Sequence, residues 1–277
     1  MKGILVFFTA TVLLFSTSLL GVAQENKVCE VGDVSFTMVF VEGGSFSMGH
    51  TIEMGSAADN NNEHPVHKVT LDSYYIGQTE VTQALWVAVM GENPSKYQGD
   101  LTCPVEQVSW GACMAFIEKL NEITGLSFRL PTESEWEFAA RGGNKSRGFK
   151  YSGSNNIWDV AWCAEPFYTP KHPVGTKKPN ELGIYDMTGN VEEWCSDFYA
   201  HWPVEFSARP QTNPKGPGVR YYDGRPVIQP HVIRGTSNEG AVEFSYISSR
   251  GGVDDWGFES SRKDCIGFRL AMDVTKN

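Results

Sequence analysis

The residues of this chain that could carry chemistry are six cysteines, two nearby histidines and several carboxylates. Cys29, Cys103, Cys113, Cys163, Cys195 and Cys265 form no Cys-x-x-Cys pair and no Cys/His cluster of zinc spacing, so a structural zinc site is not expected. They read either as one or two disulfides, whose connectivity the spacing leaves open, or as buried free thiols. His64 and His67 resemble a metal pair in spacing, but they lie in an extended segment and read as core or surface histidines. Glu133, Glu135, Glu137 and Arg141 form a charged run whose i,i+4 pair, Glu137 and Arg141, suits a solvated face or a buried framework ion pair. Asn144-Lys145-Ser146 fits the N-glycosylation pattern, and neither a Gly-rich phosphate loop nor a nucleophile elbow occurs.

The elements that must position these groups follow from composition and pattern. With 277 residues, 41% of them hydrophobic, the chain has enough for one core and is marginal for two. Eight tryptophans among 28 glycines and 14 prolines point to a loop-rich domain pinned by large aromatics. The net charge of -10 disfavours phosphate backbones and anionic lipid headgroups, so nucleic acid and membrane surfaces are poor partners. Lys2, the apolar run Ile4 to Leu20 and the small residues around Gly21-Val22-Ala23 read as a signal peptide, residues 1–23, cleaved after Ala23. That leaves 24–277 as a single secreted or periplasmic domain without membrane insertion. The run is short for a bilayer span, and Gln24-Glu25-Asn26 supplies no basic stop.

Alternation from Val34 to Val41 predicts a half-buried strand with Phe36, Met38 and Phe40 on one face. Ser56 to Glu63 reads as a surface loop and Val66 to Ile76 as a second extended stretch. Three helices are expected. One is capped by Thr82 and stopped by Gly91, with Leu85, Trp86 and Val89 inward. A second runs from the Ser109 cap to Thr124, with a stripe of Cys113, Phe116, Ile117, Leu120 and Ile123. A third, short one has Thr132 and Glu135 as a capping box and ends at Gly142-Gly143. Arg147 to Pro230 reads as a long functional loop region, kept from disorder by Trp158, Trp162, Tyr185, Trp194, Phe198 and Trp202. Strand-like Val232 to Arg234 and Ile266 to Met272 close the chain.

Eight segments in series carry a family resemblance: Val41 to Gly49, Glu63 to Val69, Glu80 to Gln83, Pro104 to Trp110, Arg129 to Glu137, His172 to Gly175, Gly183 to Trp194 and Gly267 to Leu270. In this order the chain resembles the formylglycine-generating enzyme, or sulfatase-modifying factor, family over roughly Phe36 to Met272. The resemblance implies an α+β fold related to C-type lectins, with little regular secondary structure. In true members it implies a copper-dependent oxidase that converts a sulfatase cysteine to formylglycine with O2. Two cysteines that hold the copper follow a motif read here as Arg234-Gly235-Thr236-Ser237, where the family usually has Gly in place of Thr236. Those two positions align with about Gly240 and Ser245, and no cysteine lies between Cys195 and Cys265. Cu(I) prefers soft sulfur, which glycine and serine do not offer, so copper is not expected. Asn190-Val191-Glu192-Glu193-Trp194 also lacks the usual groove tryptophan, while Ser237 matches the family's active-site serine. Asp186, Gly189, Val191 and Glu193 fall on positions that in the family ligate a structural Ca2+, two by side chain and two by carbonyl. Hard oxygens on a Gly-containing turn suit that ion; a plain solvent-facing turn is the alternative.

Three readings of function follow. One is a non-catalytic binding or scaffold module for a protein, peptide or glycan ligand. Its surface would be Asn238 to Asp264, with Glu239, Glu243, Phe244, Tyr246, Asp254, Asp255, Trp256 and Phe258. The second is an enzyme of other chemistry, as in pyoverdine-tailoring proteins that resemble this family, with Glu192, Glu239 or Glu243 as general base and Ser237 or Ser245 in the groove. The third is a formylglycine-generating oxidase with an altered metal arrangement.

Overall fold

A computed structural model describes residues 24–55, 61–167, 169–199, 208–219, 221–223, 225–226, 229–253 and 264–275. Residues 1–23, read from the sequence as a signal peptide, most of the Ser56 to Glu63 loop, Trp202, Asp254, Asp255, Trp256 and Phe258 lie outside them. Strands β1 (Lys27–Val31) and β2 (Val34–Val41) form a hairpin, and β2 pairs with β5 (Tyr74–Gly77). β5 then pairs with β14 (Ala271–Asp273) and β14 with β6 (Phe128–Arg129), all antiparallel, so both ends of the domain meet in one five-stranded sheet. A second sheet joins β3 (Gly44–Met48), β4 (His67–Leu71) and β8 (Gln211–Thr212). A third has the order β12 (Arg250–Gly252), β11 (His231–Arg234), β7 (Glu192–Phe198), β13 (Ile266–Gly267). A small hairpin of β9 (Tyr221–Tyr222) and β10 (Arg225–Pro226) stands apart.

The helices are α1 (Gln83–Met90), α2 (Trp110–Thr124), α3 (Glu133–Ala140) and the single turn α4 (Ile157–Val160). Their caps are those read from the sequence. Thr82, Ser109 and Thr132 each accept from the third helical amide, satisfying a donor the helix itself leaves open. Glu135 closes the capping box, and Gly91 and Gly125 end their helices in the left-handed region that glycine adopts without cost.

Four expectations change. Strand β2 is covered on both faces: Met38 packs into one core cluster with α1 and α2, while Val39 and Val41 pack into a second with Trp136 and Phe138. The strand therefore separates two cores instead of facing water, and Phe36 and Phe40 are only partly buried. The stretch Val66 to Ile76 breaks into β4 and β5, because the chain changes sheet at Asp72-Ser73, where the Ser73 hydroxyl accepts from the Gly43 amide at 2.9 Å. A side chain at Gly43 would meet the Leu71 carbonyl at 2.5 Å, so only glycine permits that crossing. Ile123 is 50% exposed, being turned about 80° from Cys113 at 100° per residue, at the edge of the stripe. The six cysteines are all free thiols, five of them buried, which decides between the two cysteine readings. Burial pushes the Cys103 and Cys163 thiols up to about 11. The long region from Arg147 to Pro230 is also not all loop, since β7 crosses it as a central strand.

Candidate functional site

The motif after β11 is built on one buried arginine. Arg234 donates through Nη1 to the carbonyls of Ile247, Ser248 and Ser249, at 3.3, 2.8 and 2.6 Å, and through Nη2 to Glu137. Glu137 also pairs with Arg141, so the i,i+4 pair is the buried framework pair. Burial opposes ionisation of the Glu137 carboxyl, but the two guanidiniums and the Gly49 amide outweigh it and hold it below the usual range. One side chain thus fixes both ends of the loop from Gly235 to Arg250.

Within that loop, one of the two positions that would carry the copper ligands is shaped against a side chain. A Cβ at Gly240 would stand 2.0 Å from the Thr236 hydroxyl and 3.2 Å from the Ser237 carbonyl. The Thr236 hydroxyl, on the residue where the family usually has glycine, therefore fills the space a side chain at 240 needs. Ser245 is buried, and its hydroxyl donates back to the Ala241 carbonyl at 2.9 Å. Ser237 is buried too, its carbonyl accepting from the Gly240 amide at 3.0 Å.

The three candidate carboxylates do not converge as a set. Glu243 is exposed on the single turn Val242–Phe244. Half-buried Glu192 accepts from the Cys265 thiol at 3.7 Å, and half-buried Glu239 lies 4.0 Å from the Lys171 ammonium. The buried Lys171 was not singled out from sequence. Its Nζ donates to the side-chain Oδ1 of Asn238 at 2.5 Å, and burial lowers its pKa against the pull of Glu239. Its place just before His172-Pro173-Val174-Gly175 was the only signal for it. Asn238 donates in turn to Glu165 and to the Thr169 carbonyl, so this group binds the loop down.

The implied calcium set lies on a strained turn: Asp186, Gly189 and Asn190 have φ of 57, 94 and 64°. Only glycine fits at 189, where a Cβ would meet the Trp162 carbonyl at 2.2 Å. Asp186 is buried; Oδ2 accepts from the Gly175 amide at 2.6 Å, and Oδ1 has no donor among the described residues. Glu193 is committed elsewhere: Arg269 donates to both of its oxygens at 2.6 Å and Trp136 Nε1 to Oε2 at 2.7 Å. A second carboxyl, Glu80, is buried beside Asp186 within reach of a shared proton, and both carboxyls are pushed up by burial. Asp186 thus fits a cation, whereas the Glu193 side chain does not. Of the histidine pair, His67 is buried and His64 exposed.

The three exposed tryptophan and phenylalanine side chains among the described residues surround this loop: Trp158 at 57%, Phe167 at 79% and Phe244 at 52%. The segment before Phe167 is joined to the loop by the Ala164 amide to the Gly240 carbonyl and the Glu165 amide to the Asn238 carbonyl, each 2.8 Å, and α4, which carries Trp158, belongs to a cluster against which Val242 and Tyr246 pack.

Short curled sheets, capped helices and an arginine-braced C-terminal loop define an α+β domain of the formylglycine-generating-enzyme and C-type-lectin-like class. The chain belongs to the sulfatase-modifying factor enzyme 1-like domain family, which matches residues 26–274. It is 36% identical to Chaperone protein LppX of Paenibacillus barcinonensis over 218 residues, 61% of this chain and 74% of that protein. It is 29% identical to the formylglycine-generating enzyme of Streptomyces coelicolor over 243 residues, 65% of this chain and 74% of that enzyme. The solved structure of Treponema denticola variable protein 1 aligns at a TM-score of 0.75 and 30% identity, covering 90% of this chain and 99% of that one.

Proposed function

We propose that this domain is an exported, non-catalytic binding module for polypeptide, not a formylglycine-generating oxidase. The observation that carries the reading is the contact at 240, where the Thr236 hydroxyl takes the volume of the missing ligand's Cβ. A site that had only lost its thiolates would leave room for them; this one is packed shut, with Ser245 turned to its own backbone. The exposed Trp158, Phe167 and Phe244 around the closed site supply the aromatic contact area that recognition surfaces favour. The similarity to a protein named as a chaperone supports polypeptide over glycan. No helix among the described residues is long and apolar enough to cross a membrane. The signal segment directs export.

The test has two arms on the mature protein. Copper-loaded protein is incubated with a CxPxR peptide under O2, and no aldehyde is expected. A peptide array is then probed with wild type and with W158A/F244A; binding lost in the variant supports the reading. Aldehyde formation, or an array with no hits beside turnover of some substrate, overturns it.

A structural Ca2+ belongs to the same proposal. Asp186 Oδ1 and the carbonyls of Gly189 and Val191 would hold it, with Glu80 supplying the second carboxylate in place of the Glu193 side chain. The ion would add rigidity to the turn against which the Asn190 carbonyl receives the Asn238 amide.

A further inference from the structure

A strap and a buried acid on β7, a central strand of the third sheet, form a device that the binding reading does not use. Residues Gln211 to Pro217 leave β8 and cross in front of Asp197 of β7. The strap roofs a cavity of about 90 Å³ lined by His67, Glu133, Ser134, Asp197 and Gln211. On its other side, Asn213, Pro214 and Lys215 border an open groove of about 660 Å³ that includes Trp110, Met114 and Arg129. The strap rests on the acid itself: a Cβ on Gly216 would lie 2.8 Å from the Asp197 Cβ and 3.0 Å from Oδ1. Beyond β8, the Asn213 amide donates to the Thr70 carbonyl and its side chain accepts from the Asp72 amide, at 2.9 and 2.8 Å.

Asp197 is 3% exposed. Its Oδ2 accepts from the Glu133 amide and the Ser196 hydroxyl, both at 3.0 Å, while Oδ1 accepts from no donor among the described residues. The groups facing it oppose a charge there. From α3 come the Glu133 and Glu135 carboxylates; Glu133 is itself held by Arg250, at 2.6 and 2.8 Å, and contacted by Arg234 at 3.4 Å. Its own strand adds Ser196 and the Cys195 thiol. β4 adds His67, whose Nδ1 meets the Pro65 carbonyl at 3.0 Å. From the strap come Gln211, Pro214, Gly216 and Pro217, none charged, with Lys215 facing the groove beyond.

We propose that Gln211–Pro217 is a pH-sensitive strap, closed over Asp197 while that carboxyl is neutral and released as it ionises, joining the cavity to the groove. Burial first, and then the Glu133 carboxylate, push the Asp197 carboxyl up to about 7 from 3.8. Release hydrates it and returns it toward the ordinary value. Between these limits the closed strap holds a proton that the open strap has lost, so opening rises with pH from about 4 to 7 and levels off above.

Hydrogen exchange of the folded protein from pH 4 to 8.5, corrected for intrinsic rates, tests this. Protection of Gln211 to Gly216 is expected to fall at least tenfold, and up to about a thousandfold, between pH 4 and 7, then stay level. D197N is expected to abolish the dependence and H67Q to retain it. G216A, by crowding Asp197, is expected to show low protection already at pH 4. A flat wild-type profile, a change spread evenly over the chain, or an unchanged profile in D197N overturns the proposal. Should D197N not fold, the wild-type and G216A profiles decide it.

Discussion

Returning cysteines to positions 240 and 245 is expected to fail unless position 236 is changed with them. The structure sets the size of the effect. A Cβ at 240 begins 2.0 Å from the Thr236 hydroxyl and 3.3 Å from its Cβ, in a loop anchored at both ends by Arg234. Opening the closer contact to an ordinary distance takes about 1.4 Å of movement or more, and overpacking of this kind costs about 1–3 kcal/mol. G240C/S245C should therefore unfold at lower denaturant by that amount and take up no stoichiometric Cu(I) against a competing chromophoric chelator. Adding T236G removes the hydroxyl and the Cβ together. The triple variant should recover part of the loss, offset by up to about 1 kcal/mol for the added glycine, and bind one Cu(I) per chain. The comparison isolates packing from ligand chemistry, because both variants carry the same two thiols. Wild-type stability and tight Cu(I) uptake in G240C/S245C, with Thr236 in place, would refute the argument.

Other consequences can be measured directly. Ca2+ at a hundredfold excess over its Kd should add about 2.7 kcal/mol, a rise of roughly 5–11 °C in Tm; D186N and E80Q should abolish that rise and a chelator should reverse it in the wild type. E193Q removes the charge that buried Arg269 grips with two bonds, leaving it the Gly77 and Tyr185 carbonyls, so about 3–5 kcal/mol should be lost whether or not Ca2+ is present, as read by denaturant melts. The Asp197 carboxyl, raised in the fold, binds a proton the unfolded chain has lost, so its contribution falls as pH rises from about 4 to 7. That loss approaches about 4 kcal/mol at pH 8 for global unfolding, and D197N should flatten the curve. S109A removes the cap of α2 and should cost about 1 kcal/mol in the same melts.

Much of the fold was legible from local signals that act within a few residues. Caps at Thr82, Ser109 and Thr132 and the stops at Gly91 and Gly125 are local hydrogen-bond and φ requirements, and a sequence displays them openly. The family framework was legible for another reason: eight ordered segments each keep a backbone or ion-pair demand, such as Gly189 under Trp162 or Arg269 against Glu193. The absence of sulfur at 240 and 245 was also plain, since ligand type is a property of the residue itself.

Tertiary structure decided whatever depended on how separate residues share one volume. Sequence showed Thr236 and Gly240 as separate departures; only the fold puts the hydroxyl of one where the side chain of the other would be. It likewise took the Glu193 carboxylate for Arg269 and Trp136, brought Glu80 to Asp186, and left Glu243 exposed on its own turn. The cysteines remained thiols because pairing depends on Cα separation and direction, which spacing along a chain does not encode. The strap over Asp197 has no local signature either, since that carboxyl is raised by burial and by Glu133, 64 residues away in sequence.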